Sequence, residues 1–276
     1  MIKKILVPTD FSTQSQHALQ VAADLCRKYG SEIYLLHLLE LPMQLVDGAT
    51  GGNHSDLPEA LFFMKLAHQK FEDMMNQDFL KGIPVHETAE FDGAFDGIIE
   101  YTRKYEIDLV VMGSHGSSGL QEFFVGSNTE KVVRNSEVPV LVIKNECENF
   151  HINRFVYACD FKEENRYAFQ QAIRLTSDNE DINFLYVNTP DNFKTTAEIE
   201  DTFNTFMKGE TITNYKFHIY NDVKVEKGIL NFAKSIDADL IGISTHGRSG
   251  IAHMFNGSLS KDLVNHAKRP VITFKI

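Results

Sequence analysis

A ten-residue stretch has a matching counterpart later in the chain, and this repeat limits the possible folds more than any other feature. Ile107-Asp108-Leu109-Val110-Val111-Met112-Gly113-Ser114-His115-Gly116 aligns with Ala238-Asp239-Leu240-Ile241-Gly242-Ile243-Ser244-Thr245-His246-Gly247, 131 residues later. The spacing stays at 131 residues for Gly119/Gly250, Gly126/Gly257, Ser127/Ser258 and Pro139/Pro270. Near the start of each half, Ile5-Leu6-Val7-Pro8-Thr9-Asp10-Phe11 aligns with Phe155-Val156-Tyr157-Ala158-Cys159-Asp160-Phe161, 150 residues apart. The second copy is therefore 19 residues shorter between these landmarks. Self-similarity in fixed register marks a duplicated structural unit. The expected domains are 1–145 and 152–276, joined by the polar segment Asn145–Ile152, and 276 residues suit two domains of ordinary size. The missing length is expected near residues 40–60, where Gly48, Gly51, Gly52, Asn53 and Pro58 mark a long loop.

Each copy reads as alternating strands and helices. In the first, Lys4–Thr9 is an apolar strand and Ser12 a helix N-cap. Ala18, Ala22, Leu25, Cys26 and Tyr29 recur at helical spacing, and Gly30 stands at the stop. Strands are expected at Glu32–Leu39, Pro84–Glu90, Leu109–Met112 and Val138–Ile143, with helices over Leu57–Phe79, Ile98–Tyr105 and Ser127–Asn135. Uniformly apolar strands indicate a parallel sheet buried on both faces. The alternation predicts an α/β fold of two tandem Rossmann-like domains, each a mainly parallel five-stranded sheet flanked by helices.

In such sheets ligands bind beyond the carboxyl ends of the strands, at the topological switch point. The loops leaving the first and fourth strands are therefore the candidate site. After the fourth strand stands Gly113-x2-Gly116-x9-Gly126-Ser127, followed by a helix. Glycines allow close backbone approach, and a helix N-terminus presents unpaired N–H groups suited to phosphate oxygens. A second reading uses the same residues: Ser127-x-x-Glu130 is a capping box, with Ser127 satisfying its own helix and Gly126 only permitting the turn. Spacing alone leaves both open.

The glycine pattern after strand four, with Val-Pro-x-Asp after strand one, resembles the universal stress protein family. The resemblance covers both copies and essentially the whole chain. It implies an adenine nucleotide alpha hydrolase-like fold and ATP between the two loops, with Mg²⁺ able to accompany the phosphates. By this resemblance Pro8, Thr9 and Asp10 meet the adenosine end, with Asp10 accepting a hydrogen bond, and the Leu38 backbone reads adenine. Met112, Gly113, His115, Gly116, Gly126, Ser127, Asn128 and Thr129 would surround ribose and phosphates. Asn128 departs from the small apolar residue common in the family. The second copy keeps Asp160, Val187, His246, Gly247, Gly257 and Ser258, but has Ala158, Cys159 and Ser244 at the positions of Pro8, Thr9 and Gly113. Single-domain relatives commonly dimerise through their final strands. The resemblance thus implies that Val138–Ile143 and Pro270–Lys275 pair antiparallel as an intramolecular pseudo-dimer, with a further homodimer through another surface left open. A sensor or regulator of stress responses with weak or no hydrolysis is the implied role. The alternatives are an interaction scaffold with a vestigial nucleotide site, its protein partner unknown, and a slow ATPase.

Charge and absent motifs narrow the rest. Lys and Arg total 27 against 38 Asp and Glu, a net charge of −11. The first 145 residues carry −8 and the remainder −3, so nucleic acid is disfavoured as a partner. No stretch approaches the roughly 20 apolar residues of a membrane span, and the N-terminus reads directly into a strand, which gives a cytoplasmic expectation. There is no GxxxxGK[ST], no GxGxxG after either opening strand and no GxSxG elbow. His115 and His246 invite a catalytic role that spacing cannot support, and no metal-ligand spacing is present. Cys26, Cys147 and Cys159 form neither a disulfide framework nor a CxxC pair. Cys159 reads as a buried thiol or, alternatively, a redox sensor.

Overall fold

A computed structural model describes residues 2–39, 57–116, 125–176, 180–212, 214–245 and 258–276. In the first copy the order is β1 (Lys4–Pro8), α1 (Thr13–Tyr29), β2 (Glu32–Leu39), α2 (Leu57–Met75), β3 (Val85–Phe91), α3 (Ala94–Lys104), β4 (Leu109–Gly113), α4 (Ser127–Asn135) and β5 (Val140–Ile143). The second runs β6 (Arg154–Ala158), α5 (Arg166–Arg174), β7 (Asp181–Asn188), α6 (Thr196–Phe206), β8 (Tyr215–Asn221), α7 (Val225–Ser235), β9 (Leu240–Thr245), α8 (Ser258–His266) and β10 (Val271–Lys275).

The local chemistry explains the boundaries. Ser12 caps α1 by accepting from the Ser15 N–H at 3.3 Å, and Gly30 ends the helix at φ 70°, a conformation only glycine adopts freely. Each first strand is anchored by the repeated aspartate: Asp108 Oδ2 accepts from the Lys3 and Lys4 N–H groups, and Asp239 Oδ2 from those of Asn153 and Arg154. The 19-residue shortening is only partly a matter of the connection after β2, since α2 has 19 residues and its counterpart α6 has 11. Residues 40–56 of that expected loop lie outside the described residues.

All ten described strands form one sheet in the order β3-β2-β1-β4-β5-β10-β9-β6-β7-β8, which reads as the same unit from either edge. Pairs within each copy are parallel, whereas β5 and β10 pair antiparallel through Val271↔Val142, Ile272↔Leu141 and Thr273↔Val140. This is the pairing expected of the two final strands. Joining there covers the apolar β5 and β10 edges that would otherwise invite association. The β1–β4 pair in each copy (β6–β9 in the second) is the switch point, because the chain moves outward from it in opposite directions.

One continuous core lies under α1, α2, α5 and α6, and another under α3, α4, α7 and α8; each draws side chains from both copies. Polar bolts reinforce the junction. Tyr29 Oη donates to the Leu175 carbonyl at 2.6 Å, the Phe150 N–H donates to Asp24 Oδ2 at 2.8 Å, and Lys28 pairs with the buried Glu180. The two copies are thus one packed body.

Candidate functional site

The loops leaving β1 and β4 enclose a cavity of about 400 Å³. All twelve residues singled out in the first copy line it: Pro8, Thr9, Asp10, Leu38, Met112, Gly113, His115, Gly116, Gly126, Ser127, Asn128 and Thr129. Ser15, Leu36, Ala94 and Ile98 also line it and were not anticipated. Leu36 was within reach of periodicity, since it shares a strand face with Leu38. A further signal was the repeat itself, which carries Gly97 onto Gly228 at the same 131-residue spacing. A Cβ on Gly97 would lie 2.8 Å from Leu38 Cδ2, and one on Gly228 would lie 2.5 Å from Val187 Cγ1. These glycines let α3 and α7 press against the strand ends that wall the two cavities.

At the β1 end the chain turns sharply. Phe11 adopts φ 63° and its counterpart Phe161 φ 52°, a left-handed conformation costing about 1–2 kcal/mol for a non-glycine residue. Local hydrogen bonds hold it there: the Phe11 N–H donates to Thr9 Oγ1 at 3.0 Å and the Ser12 N–H to Asp10 Oδ1 at 3.1 Å. The other Asp10 oxygen faces Gly116, where an added Cβ would lie 2.4 Å from Oδ2. Gly116 is therefore small because the Asp10 carboxylate occupies the space beside it.

The helix at the far end is open. The N-cap of α4 is Gly126, at φ −60° and ψ 148°, and no side chain caps it. The capping-box reading is thereby corrected: Ser127 is the first helical residue rather than the cap, and Glu130 pairs with Arg134 and Lys261. Instead, Gly126 N–H donates to the Ser114 carbonyl at 2.7 Å and Thr129 Oγ1 donates to the Gly113 carbonyl at 3.0 Å. The first turn thus keeps the partial positive charge of uncapped N–H groups toward the cavity that Ser127 and Asn128 line. His115 stands beside it with Nδ1 2.9 Å from Ser114 Oγ. Among the described residues no group of three His, Cys, Asp or Glu side chains is placed to hold a metal ion.

The second copy differs at the same place. Its cavity, about 300 Å³, is lined by Asp160 and Val187 together with Cys159, Tyr186 and residues after β7 and β8. Ser244, where the first copy has Gly113, donates through Oγ to Asn165 Oδ1 at 2.5 Å. Asn165 Nδ2 in turn donates to Asp160 Oδ1 at 2.6 Å, and Lys162 Nζ lies 2.9 Å from Asp160 Oδ2. Asp160 is only 7% exposed. Its carboxylate is thus engaged at both oxygens by its own copy. His246, Gly247 and Gly257 lie outside the described residues, and Ser258 is described only as the first residue of α8. Cys159 substitutes for Thr9 as acceptor, taking the Phe161 N–H on Sγ at 3.1 Å, and burial pushes its thiol pKa up. That fits an inert thiol better than a reactive one.

The backbone shows why serine is tolerated in one copy only. A Cβ on Gly113 would lie 3.0 Å from the Gln14 backbone, because α1 starts tight against β4. In the second copy a 3₁₀ turn at Glu163–Asn165 precedes α5, and Asn165 meets the Ser244 hydroxyl. Gly113→Ser is therefore expected to destabilise the chain by about 1–3 kcal/mol through overpacking. Urea unfolding compared with wild type checks this.

Two doubly wound α/β units, fused through their last strands and each hollowed near its switch point, define a tandem Rossmann-like protein. The model of the universal stress protein family matches residues 1–144 and 151–275. The chain belongs to that family. It is 30% identical to universal stress protein MJ0531 of Methanocaldococcus jannaschii over 151 residues, covering 52% of this chain and 83% of that protein. Universal stress protein Slr1230 of Synechocystis is 22% identical over 298 residues, covering 99% of this chain and all of its own. The crystal structure of a universal stress protein from Archaeoglobus fulgidus superposes with a TM-score of 0.67 at 23% identity, covering 99% of this chain and 96% of that one. That likeness concerns the fold. No helix among the described residues is long and apolar enough to cross a membrane.

Proposed function

We propose that the first copy binds one adenine nucleotide, ATP in the reading the family resemblance favours, and that the second copy binds none. The observation carrying this reading is the uncapped start of α4 facing the same cavity as the Asp10 carboxylate. One end suits phosphate oxygens and the other suits a hydroxyl donor such as a ribose. The walls between them are apolar, from Leu36, Leu38, Ile98 and Met112. In the second copy the engagement of Asp160 by Asn165 and Lys162 supports a vestigial site. Mg²⁺ would accompany the phosphates, whose oxygens it takes together with water. The chain then acts in the cytoplasm as a nucleotide-responsive regulator of stress responses, with little or no turnover.

Calorimetric titration of the purified protein with Mg-ATP tests it, together with mass spectrometry of any ligand released on denaturation. One ATP per chain is expected, with binding lost in Asp10→Ala and kept in Asp160→Ala. Two equivalents, or loss in Asp160→Ala alone, would contradict the assignment of the two copies.

A further inference from the structure

The first copy's α4 begins under the control of a residue from the second copy. The Val125 N–H, one position before the Gly126 cap, donates to Asn265 Oδ1 at 2.7 Å across 140 residues of sequence. Asn265 lies in the last turn of α8 and is 8% exposed. Its own carbonyl, one of those a helix end leaves without an intrahelical donor, accepts from Lys144 Nζ of the first copy. Two further contacts seat α8 against the first copy: Lys261 Nζ lies 2.9 Å from Glu130 Oε2, and Asn145 Nδ2 donates to the Lys268 carbonyl at 3.0 Å. The backbone of Asn265 is thus anchored before its side chain reaches Val125. With Gly126 N–H held by the Ser114 carbonyl, consecutive amides before α4 are pinned from opposite sides. That fixes the direction in which the chain enters the helix, and so where the Ser127 and Asn128 N–H groups aim.

The repeat puts a different side chain at the equivalent position of the first copy. The 131-residue repeat places Arg134 opposite Asn265, and a guanidinium has donors but no acceptor. Arg134 is instead 3.1 Å from Glu130 on its own helix. The first copy therefore offers the second no matching side-chain acceptor at that position.

We propose that Asn265 is a positioning residue for the phosphate end of the first copy's cavity, so that the second copy serves the first copy's site as a strut. This rests on reading that cavity as the nucleotide site. A strut acting on α4 affects the phosphates and leaves the Asp10 and Leu38 end alone, which separates it from a general stabilising contact.

The test uses the full chain as wild type, Asn265→Ala and Asn265→Asp, the last keeping a side-chain acceptor. Two quantities are measured: backbone hydrogen exchange at Val125 without nucleotide, and dissociation constants for ATP and adenosine. In Asn265→Ala, Val125 exchange and the ATP dissociation constant should each rise about 3- to 10-fold, the effect of one lost hydrogen bond. Adenosine affinity should stay within about twofold, and Asn265→Asp should restore both values toward wild type. Equal weakening of ATP and adenosine would overturn the proposal, as would unchanged ATP affinity despite faster Val125 exchange. Wild type that binds no ATP overturns the nucleotide reading and this proposal with it. Wild type that binds ATP, with Asn265→Ala indistinguishable from it, overturns this proposal alone.

Discussion

Gly116→Ala should strip about half or more of the ATP-induced stabilisation from the protein while costing the unliganded fold only about 1 kcal/mol. At a free concentration of 100 times its dissociation constant, ATP at one site adds about 2.7 kcal/mol. The new Cβ would fall 2.4 Å from Asp10 Oδ2 and 3.3 Å from its Cγ, so the carboxylate must swing away. Because the obstructed group is the end of a side chain, the backbone need not move, and the unliganded fold loses mainly the Ser12 N–H bond to Asp10 Oδ1, about 1 kcal/mol. Losing a hydrogen bond to a charged acceptor costs about 1.5–3 kcal/mol, a roughly 10- to 100-fold loss of affinity. At the same ATP concentration the stabilisation then falls to about 0.4–1.4 kcal/mol. Gly116→Val, bulkier still, should abolish it. Thermal unfolding with and without ATP measures the difference directly, and a full-sized shift in Gly116→Val would remove Asp10 and Gly116 from the binding site.

Leu141→Ala should cost about 2–5 kcal/mol, the range for truncating a fully buried leucine, and the loss should be felt by both copies together. Leu141 is 1% exposed, pairs with Ile272 across the β5–β10 seam and with Val111 in β4, and belongs to a core built from both copies. A cavity there loosens the contact that joins the two halves of the sheet. Urea unfolding should therefore show a single transition displaced to lower denaturant by both fluorescence and far-ultraviolet circular dichroism. Two separated transitions, with only one displaced, would mean that the seam does not couple the copies.

Much of the fold was legible because its signals are local. Apolar runs bounded by turn residues marked β2 at Glu32–Leu39, and Ser127–Asn135 was marked by helical spacing. The boundary errors also have local causes. Helical spacing carried the expected second helix on to Phe79, but Gln77 is extended at ψ 135° and the chain re-forms only a 3₁₀ turn at Asp78–Leu80. The third helix was expected from Ile98 because its apolar stripe is clear from there. It begins at Ala94, after Gly93, one turn earlier. The candidate site was legible for another reason. Residues after β1 and β4 must meet at the switch point of any doubly wound sheet, so naming the fold also named the cavity's walls.

What the sequence determines by itself is the duplication, the strand–helix alternation and the set of residues brought to the first copy's switch point, since repeat register and periodicity are properties of the chain alone. Which polar group satisfies which was decided by tertiary structure. Ser127-x-x-Glu130 is a sound capping box on paper, yet Glu130 is drawn to Arg134 and to Lys261 of the other copy, and Gly126 becomes the cap. Asp10 and Asp160 are the same residue in the same motif, yet the 3₁₀ turn after β6 sets Asn165 between Asp160 and Ser244, bonded to both. The Val125–Asn265 bond spans 140 residues and exists only because β5 and β10 pair antiparallel and lay α4 beside α8. A hydrogen bond is satisfied by whichever partner lies within about 3 Å, and for residues far apart in sequence only packing sets that distance.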